Sequence, residues 1–471
     1  QRFGFLPDVW HSKISDKKRK NIWHNCYEGK PVIVIGARSS LFLPFKKLGL
    51  IVVDEEHDAS YKQENPAPRY HARDVALVRG KQAGAIVLLT SATPCLESYY
   101  NALQKKFTLL RLTKRYGKSI YPAVELVDMK KEPYNSENTL LSGALIQAIE
   151  NRLKKSEQVI ILQNRRGYSR IQQCQECGEI KMCKHCSIAL IFHKTDNNLH
   201  CHYCNSIEPI TSNCTGCNSN NLIFLGSGTQ RIEEVLKQKF NNSIILRMDM
   251  DNVRKKNAHL KILGKFSNGE ADILLGTQMI AKGLDFDNVT LVGVINADSG
   301  LFFPDFRAGE RVFQLIYQVA GRAGRGERPG KVIIQTYQPE HYAVIAASKQ
   351  DYFSFFDIES TYRKLNAYPP YSRLIRLVRE DTNNAKAEGD AKDLVNELLD
   401  ERSRWGLSDT EVFGPLPAFP ARVRGRYRWQ INLKGPNPRL LLDKVDQLTY
   451  GTNHRRGLNG WSVDINPVSF T

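Results

Sequence analysis

Long apolar runs are missing from this 471-residue chain, and none approaches the roughly 18 consecutive apolar residues of a membrane span. The amino end, Gln1-Arg2-Phe3-Gly4, has no signal-peptide pattern, so the sequence predicts a soluble, cytoplasmic protein with no membrane partner. Also missing is a G-x-x-x-x-G-K-[ST] loop, the backbone cradle with which many NTPases hold phosphates. Gly117-Lys118-Ser119 imitates its end, but Leu112 takes the first glycine position and Ile120-Tyr121-Pro122 follows where a helix should begin. Position 1 is Gln rather than Met, which leads us to expect an upstream segment. Negative charge is scarce: 49 acidic against 67 basic residues give a formal charge of +18. A polyanion, nucleic acid first, is the expected partner.

What is present begins with Leu50-Ile51-Val52-Val53-Asp54-Glu55-Glu56-His57, an aliphatic run that breaks into three carboxylates and an imidazole. The run predicts a parallel strand buried on both faces, and ligands gather at the carboxyl ends of such strands. Adjacent carboxylates repel one another, so they call for a positive partner, most simply Mg2+ carrying the phosphates of a nucleotide such as ATP. In nucleotide hydrolases the first acid, here Asp54, holds the metal, and the next, Glu55, orients or deprotonates water. An acidic, solvated loop after a strand is the plainer alternative.

Upstream, a helix is expected over 16–25, then a strand over 32–35 ending in Gly36-Ala37-Arg38-Ser39-Ser40, where Arg38 and the hydroxyls suit a nucleic-acid backbone. Downstream, Tyr61, Tyr70, His71 and Arg73 interleave aromatic and cationic side chains on a proline-containing loop, a pattern that suits single-stranded bases. A second aliphatic strand, 86–90, runs into Ser91-Ala92-Thr93-Pro94. Near residue 120 the α/β pattern restarts, with a strand at 125–128, a helix at 141–154 and a strand at 159–162.

Ten cysteines include four Cys-x-x-Cys pairs between Cys174 and Cys217. This is metal-ligand spacing rather than a disulfide framework, and eight thiolates make two closed tetrahedral zinc sites. Ribbon spacing best matches Cys183 and Cys186 with Cys201 and Cys204. Cys174 and Cys177 then close around them with Cys214 and Cys217. So small an insert should draw its folding energy from metal. Cys26 and Cys95 are expected to be buried apolar residues. The α/β pattern resumes with strands at 222–225, 244–246 and 271–275. It leads to Gly276-Thr277-Gln278 through Gly283-Leu284-Asp285, and then to Gln318-Val319-Ala320-Gly321-Arg322-Ala323-Gly324-Arg325, whose two arginines suit a phosphate.

Together Asp54 to His57, Ser91-Ala92-Thr93, Gly276-Thr277-Gln278 and Gln318 to Arg325 resemble motifs II, III, V and VI of superfamily 2 helicases. The eight-cysteine insert between Asn164-Arg165-Arg166-Gly167 and Gly226-Ser227-Gly228-Thr229 is similar to that of the PriA family of replication-restart proteins. The resemblance implies an α/β protein with two RecA-like lobes and ATP between them. It also implies 3′ to 5′ translocation on DNA, recognition of stalled forks, and primosome assembly that reloads the replicative helicase. Residues 1–119 would be a truncated first lobe, 120–351 a second lobe with the zinc insert at 172–220, and 352–471 an α+β DNA-binding domain similar to ribosomal S10. Glu56 and His57 would couple the two activities, Arg322 and Arg325 would meet transition-state charge, and Gln318, Gly283 and Asp285 would contact nucleotide. Thr277 would touch DNA. So would Arg424, Arg426 and Arg428, which lie in a basic aromatic run from Arg422 to Trp429. Implied partners are forked and single-stranded DNA, single-stranded DNA-binding protein and other primosome proteins, around a monomer. The family's phosphate loop and amino-terminal DNA-binding domains lie upstream of the segment that His11-Ser12 resembles. The chain is therefore expected to be a carboxy-terminal piece that is inactive alone. A non-catalytic zinc adaptor that binds forks is the alternative.

Overall fold

Parallel strands with covering helices account for most of this chain. A computed structural model describes residues 4–64, 68–112, 122–132, 140–163, 170–184, 189–193, 196–201, 206–225, 229–248, 258–277, 280, 286–303, 305–324, 328–451 and 460–469. Cys186, Cys204, Gly283, Asp285 and Arg325 lie outside them. Contacts divide the chain into two units, Gln1–Lys106 with Val463–Val468, and Phe107–Ser462 with Ser469–Thr471. Among the described residues no helix is long and apolar enough to cross a membrane.

In the first unit β1 (Asp8–Trp10) pairs in parallel with β2 (Val34–Gly36), and β3 (Leu50–Asp54) with β4 (Ile86–Thr90). Helices α1 (Asp16–Glu28), α2 (Ala72–Ala83) and α3 (Leu96–Leu103) complete it. Ser15 caps α1 by accepting the Lys18 N–H, and Gly29, at φ 82, closes it three residues beyond the expected end. The expectation for β3 needs correcting. Ile51 and Val53 are buried against Ala76 of α2, but Leu50 and Val52 are 56% and 52% exposed, as are much of Ile86 and Leu88 on β4. Helix α2 covers one face of the pair. An apolar run without alternation does not encode whether its second face meets a partner.

The second unit is built on a six-stranded parallel sheet in the order β12-β13-β6-β14-β15-β5. Its first elements are β5 (Ala123–Asp128), α4 (Gly143–Leu153) and β6 (Gln158–Gln163). The cysteine-rich insert follows as β7 (Arg170–Cys174), β8 (Ile191–His193), β9 (Asn198–His200), β10 (Ile207–Pro209) and β11 (Leu222–Leu225), an antiparallel sheet in the order β10-β9-β8-β7-β11. The main sheet resumes with α5 (Thr229–Lys239), β12 (Ile245–Met248), α6 (Ala258–Ser267), β13 (Ile273–Gly276), β14 (Val289–Ile295), α7 (Ala308–Ala320), β15 (Lys331–Thr336) and α8 (Tyr342–Ser348). Strands β14 and β15 were not among those expected, yet β14 is buried along its whole length and lies between β6 and β15. At Gly293 of β14 an added Cβ would stand 2.8 Å from Leu145 of α4, so glycine permits the helix to close on the sheet.

The chain continues through α9 (Tyr352–Leu365), β16 (Arg373–Asp381), α10 (Asn384–Arg404), β17 (Glu411–Val423), β18 (Arg426–Gly435), α11 (Pro438–Gly451) and β19 (Trp461–Ile465). From β16 onward the order is βαββαβ, an α+β arrangement. In its antiparallel sheet β18 lies between β17 and β16. Pro415, Pro417 and Pro420 hid β17 from sequence reasoning. An edge strand tolerates them, with register shifts on either side.

Candidate functional site

Strand β3 delivers its acids into a turn that gives each a different environment. Asp54 is exposed, its Oδ1 accepting from the Thr90 hydroxyl at 2.7 Å and its carbonyl from the Tyr61 hydroxyl at 2.6 Å. Glu55 sits at φ 48, a left-handed conformation that costs a non-glycine residue about 1–3 kcal/mol. Its Oε2 is shielded from water without a hydrogen bond, and the His57 Nδ1 lies 3.5 Å away. Glu56 is 1% exposed and satisfied by the Cys95 N–H at 2.7 Å, the Ser98 hydroxyl at 2.8 Å and the Arg73 guanidinium at 3.1 Å. The buried His57 places Nδ1 2.7 Å from the Ser91 hydroxyl, whose oxygen also accepts the Thr93 N–H. The backbone turn thus sends Asp54 and Glu55 outward, locks Glu56 inward, and ties the Ser91-Ala92-Thr93 segment to the acids through one imidazole.

The loop residues are more engaged than their spacing suggested. Burial pushes the Tyr61 hydroxyl pKa up, and Tyr70 packs edge-on to Phe42 at 5.2 Å. Arg73 is not displayed on a loop. It lies in the first turn of α2, pairs with Glu56 and Asp74, and has a side chain only 14% exposed. Arg38 donates to the Lys62 carbonyl. Lys62, which the sequence did not mark, is buried and reaches Asp464 at 2.7 Å and the Ile465 carbonyl at 2.8 Å. Cys95 is buried as expected, but it also caps α3 and bonds Arg73 through sulfur. Lone Lys and Ser residues in a polar segment carry no sequence signal of such burial.

Two histidines make stability depend on pH. Burial, then the nearby Arg73 charge, pulls His71 down to about 4, with Asp74, Lys62 and Glu97 as its other charged neighbours. Burial alone brings His341 to about 4, and its Nδ1 accepts the Ala343 N–H at the start of α8. Both stay neutral when folded while the unfolded chain takes up protons below about pH 6.5, so stability is lost as pH falls from there toward 4. Between pH 8 and pH 5 each should cost about 2 kcal/mol. Urea unfolding at the two pH values checks this, and a His341→Asn protein should lose about half the difference.

In the second unit, Thr277 follows β13, and its carbonyl accepts the Ile280 N–H at 3.0 Å. Gln318 lies in the last turn of α7, and Arg322 follows it, largely buried. Fully buried Arg363 of α9 clamps the start of α7, reaching Glu310 at 2.7 Å and Glu359 at 2.8 Å. At the other end the Gly324 N–H donates to the Val289 carbonyl at 3.2 Å. An added Cβ on Gly324 would lie 2.5 Å from the Gly330 nitrogen. The glycine-rich stretch is therefore pressed against the root of β14. The sequence also missed Asp298, whose buried carboxylate accepts from the Thr336 hydroxyl and the Tyr337 N–H. Burial pushes its pKa up.

The outer cysteine set comes together as expected. The Cys174, Cys177, Cys214 and Cys217 sulfurs all lie within 4.8 Å of one another, with Cys174 to Cys217 and Cys177 to Cys214 both at 3.6 Å. A tetrahedral zinc with Zn–S near 2.3 Å has sulfur edges of about 3.8 Å, so the donor set fits. Burial and the neighbouring sulfurs push the Cys177 thiol up to about 12, whereas hydrogen bonds from the Cys217 and Gly216 backbone and from the neighbouring thiols pull that of Cys214 down against burial, and a bound cation would favour the thiolate at all four. Of the inner set, Cys183 and Cys201 are buried together with Leu190 and Leu199. Gly178 sits close under the Tyr337 ring, and Phe302 packs on Ile171, Ile180 and Ala189, which anchors the insert to the main sheet.

Strands β17 and β18 meet in a two-residue turn, Arg424 at φ 49 and Gly425 at φ 81, the paired left-handed conformation of tight hairpins. Arg424 and Arg426 are exposed at this tip, and Arg422 lies 4.8 Å over the Tyr427 ring. Arg428 is instead held by Glu380 at 3.0 Å and by the Phe419 and Pro420 carbonyls.

Comparison with known proteins agrees with this architecture. Residues 364–468 match the primosomal protein N C-terminal domain, 210–327 the helicase conserved C-terminal domain, and 183–209 the PriA DNA helicase Cys-rich region. The chain is 43% identical over 433 residues to the replication restart protein PriA of Bacillus subtilis, covering 92% of this chain and 53% of that protein. It is 40% identical to that of Synechocystis, covering 99% and 56%, and 39% identical to that of Rickettsia conorii, covering 100% and 71%. It thus spans little more than half the length of most of these relatives. With a relative 39% identical that it covers to 71%, and with matches to the helicase C-terminal, Cys-rich and carboxy-terminal domains, the chain belongs to the replication restart protein PriA family.

Proposed function

We propose that this chain supplies motor and DNA-binding parts of an ATP-dependent 3′ to 5′ DNA helicase that recognises stalled forks and starts primosome assembly. In this reading 1–119 and 120–351 are the two helicase lobes, with the zinc insert at 172–220, and 352–471 binds DNA. Asp54 holds Mg2+, Glu55 activates water, His57 carries the state of the acids to Ser91, and Arg322 and Arg325 offset transition-state charge. Gln318, Gly283 and Asp285 contact ATP. Mg2+, when bound with ATP, supplies charge neutralisation of the phosphates. The observation that carries the reading is the turn after β3, where a strained backbone holds Glu55, its Oε2 without a hydrogen bond and 3.5 Å from the His57 Nδ1, between an outward Asp54 and a locked Glu56. Lacking a G-x-x-x-x-G-K-[ST] loop, these 471 residues alone should turn ATP over negligibly. Two zinc ions per chain, the second on Cys183, Cys186, Cys201 and Cys204, complete the proposal.

For DNA, Arg38, Tyr61, Tyr70 and Thr277 remain proposed contacts, while Arg73 and Arg428 serve as braces. The hairpin tip is tested directly by Arg424→Ala with Arg426→Ala. The double variant should weaken binding to forked DNA and lower the slope of log K against log salt by about 2, near one unit per lost phosphate contact. An unchanged slope rejects the tip as a phosphate contact. The adaptor alternative rests on the same DNA and zinc features without ATP turnover.

A further inference from the structure

We propose that the outer face of α1 is a stacking platform for single-stranded nucleic acid, separate from every contact assigned above and resting on the DNA-binding reading of the protein. Trp23 and Tyr27, one turn apart, are 47% and 60% exposed, and their rings stack at a centroid distance of 5.4 Å with planes 10° apart. Neither residue is needed to seat the helix. Ile22 and Cys26 do that, buried against Leu43 in a cluster with Trp10, Ile14, Val32, Val34 and Phe45. A tryptophan outside this cluster with about half its surface in water leaves a large apolar face exposed, and such surface marks a place of contact.

The charge around the pair says what kind of contact. Lys17, Lys18 and Lys20 are exposed and carry no ion pair among the described residues. Lys20, Trp23, His24 and Tyr27 fall on one face of the helix at spacings of three and four. The acid nearest the rings, Glu28, is already matched by His24 and Lys30, each at 2.7 Å. Arg19 is the one cation of the cluster drawn inward, to Asp16, the Ser12 carbonyl and the Trp10 ring. Lysines in the first turn oppose the helix dipole, so helix stability does not account for them. Protein interfaces are depleted in lysine, whereas a nucleic-acid backbone calls for it. Paired bases hide their faces in the duplex stack, so an aromatic platform bordered by ammonium groups suits an unpaired strand: bases on Trp23, phosphates along Lys17 and Lys20, over about 15 Å of helix.

Binding of a fluorescein-labelled oligothymidylate to the chain, followed by anisotropy across a salt series, tests this. Trp23→Ala should weaken binding about tenfold and Trp23→Phe restore most of it, since stacking needs only an aromatic face. Lys17→Glu with Lys20→Glu should reduce the salt slope by about one to two, and because these exposed lysines carry no ion pair among the described residues, this variant decides the matter if circular dichroism shows Trp23→Ala to be misfolded. Unchanged affinity and slope in these variants, alongside weakened binding by Arg424→Ala with Arg426→Ala, would overturn the platform and leave the DNA-binding reading standing. Failure of the unaltered chain to bind any oligonucleotide would overturn both.

Discussion

Stripping zinc with a strong chelator is expected to unfold residues 170–225 while the six-stranded sheet persists. The insert has little else to stand on. Among its described residues the apolar clusters are small, one around Leu190 and Leu199 and one around Ile171, Ile180 and Ala189. The sulfurs of Cys174, Cys177, Cys214 and Cys217 crowd within 4.8 Å of one another, an arrangement that suits a tetrahedral cation. Structural zinc contributes apparent binding energies of about 10–16 kcal/mol in small domains, which exceeds what such clusters supply. The parallel sheet has its own core of Val159, Ile161, Ile273, Leu275, Leu291 and Ile333, so it should survive. Metal analysis should find two zinc ions per chain and one after Cys174→Ser. Hydrogen exchange after chelation should show protection lost in 170–225 and kept in β6, β13 and β14. Full protection of the insert without metal would remove zinc from its folding.

Glu55→Gln is expected to lower DNA-stimulated ATP turnover by about 10² to 10⁴, or about 3–5 kcal/mol in barrier, without lowering the melting temperature. Glu56→Gln is instead expected to lower the melting temperature. Its carboxylate is the buried partner of Arg73, and removing one member of such a pair typically costs about 3–5 kcal/mol of stability. Turnover is to be measured with these 471 residues joined to a segment that carries a phosphate loop. The two neighbours differ because Glu55 is held outward at a strained φ while Glu56 is consumed by hydrogen bonds. Arg322→Ala in the same assay should cost about 10³ to 10⁵. Normal turnover in Glu55→Gln would take that residue out of the chemistry.

Chemistry that depends on residue type and short spacing was legible in the amino-acid sequence. The outer cysteine pairs, Cys174 and Cys177 with Cys214 and Cys217, assembled as their spacing implied, and β3, β4, β6 and β13 lie where aliphatic runs placed them. What escaped depends on direction or distance. Arg73 and Arg428 looked like free cations, yet each turned toward a carboxylate, Glu56 and Glu380, that spacing could not pair with it. Lys62 finds Asp464 about 400 residues away. The run 289–295 is aliphatic apart from Thr290 and Gly293, and unlike β3 it is buried at every position. The exposed face of β3 shows the opposite failure, since an apolar run states a preference for burial and leaves its partner unnamed.

The most direct measurement is strand separation on a forked DNA by these residues joined to a phosphate-loop segment, with ATP and with a non-hydrolysable analogue. Separation with ATP, none with the analogue, and none in the Glu55→Gln protein at equal DNA occupancy is the expected result. Equal binding with no ATP-dependent separation would contradict the motor and leave a zinc-bearing adaptor for forked DNA.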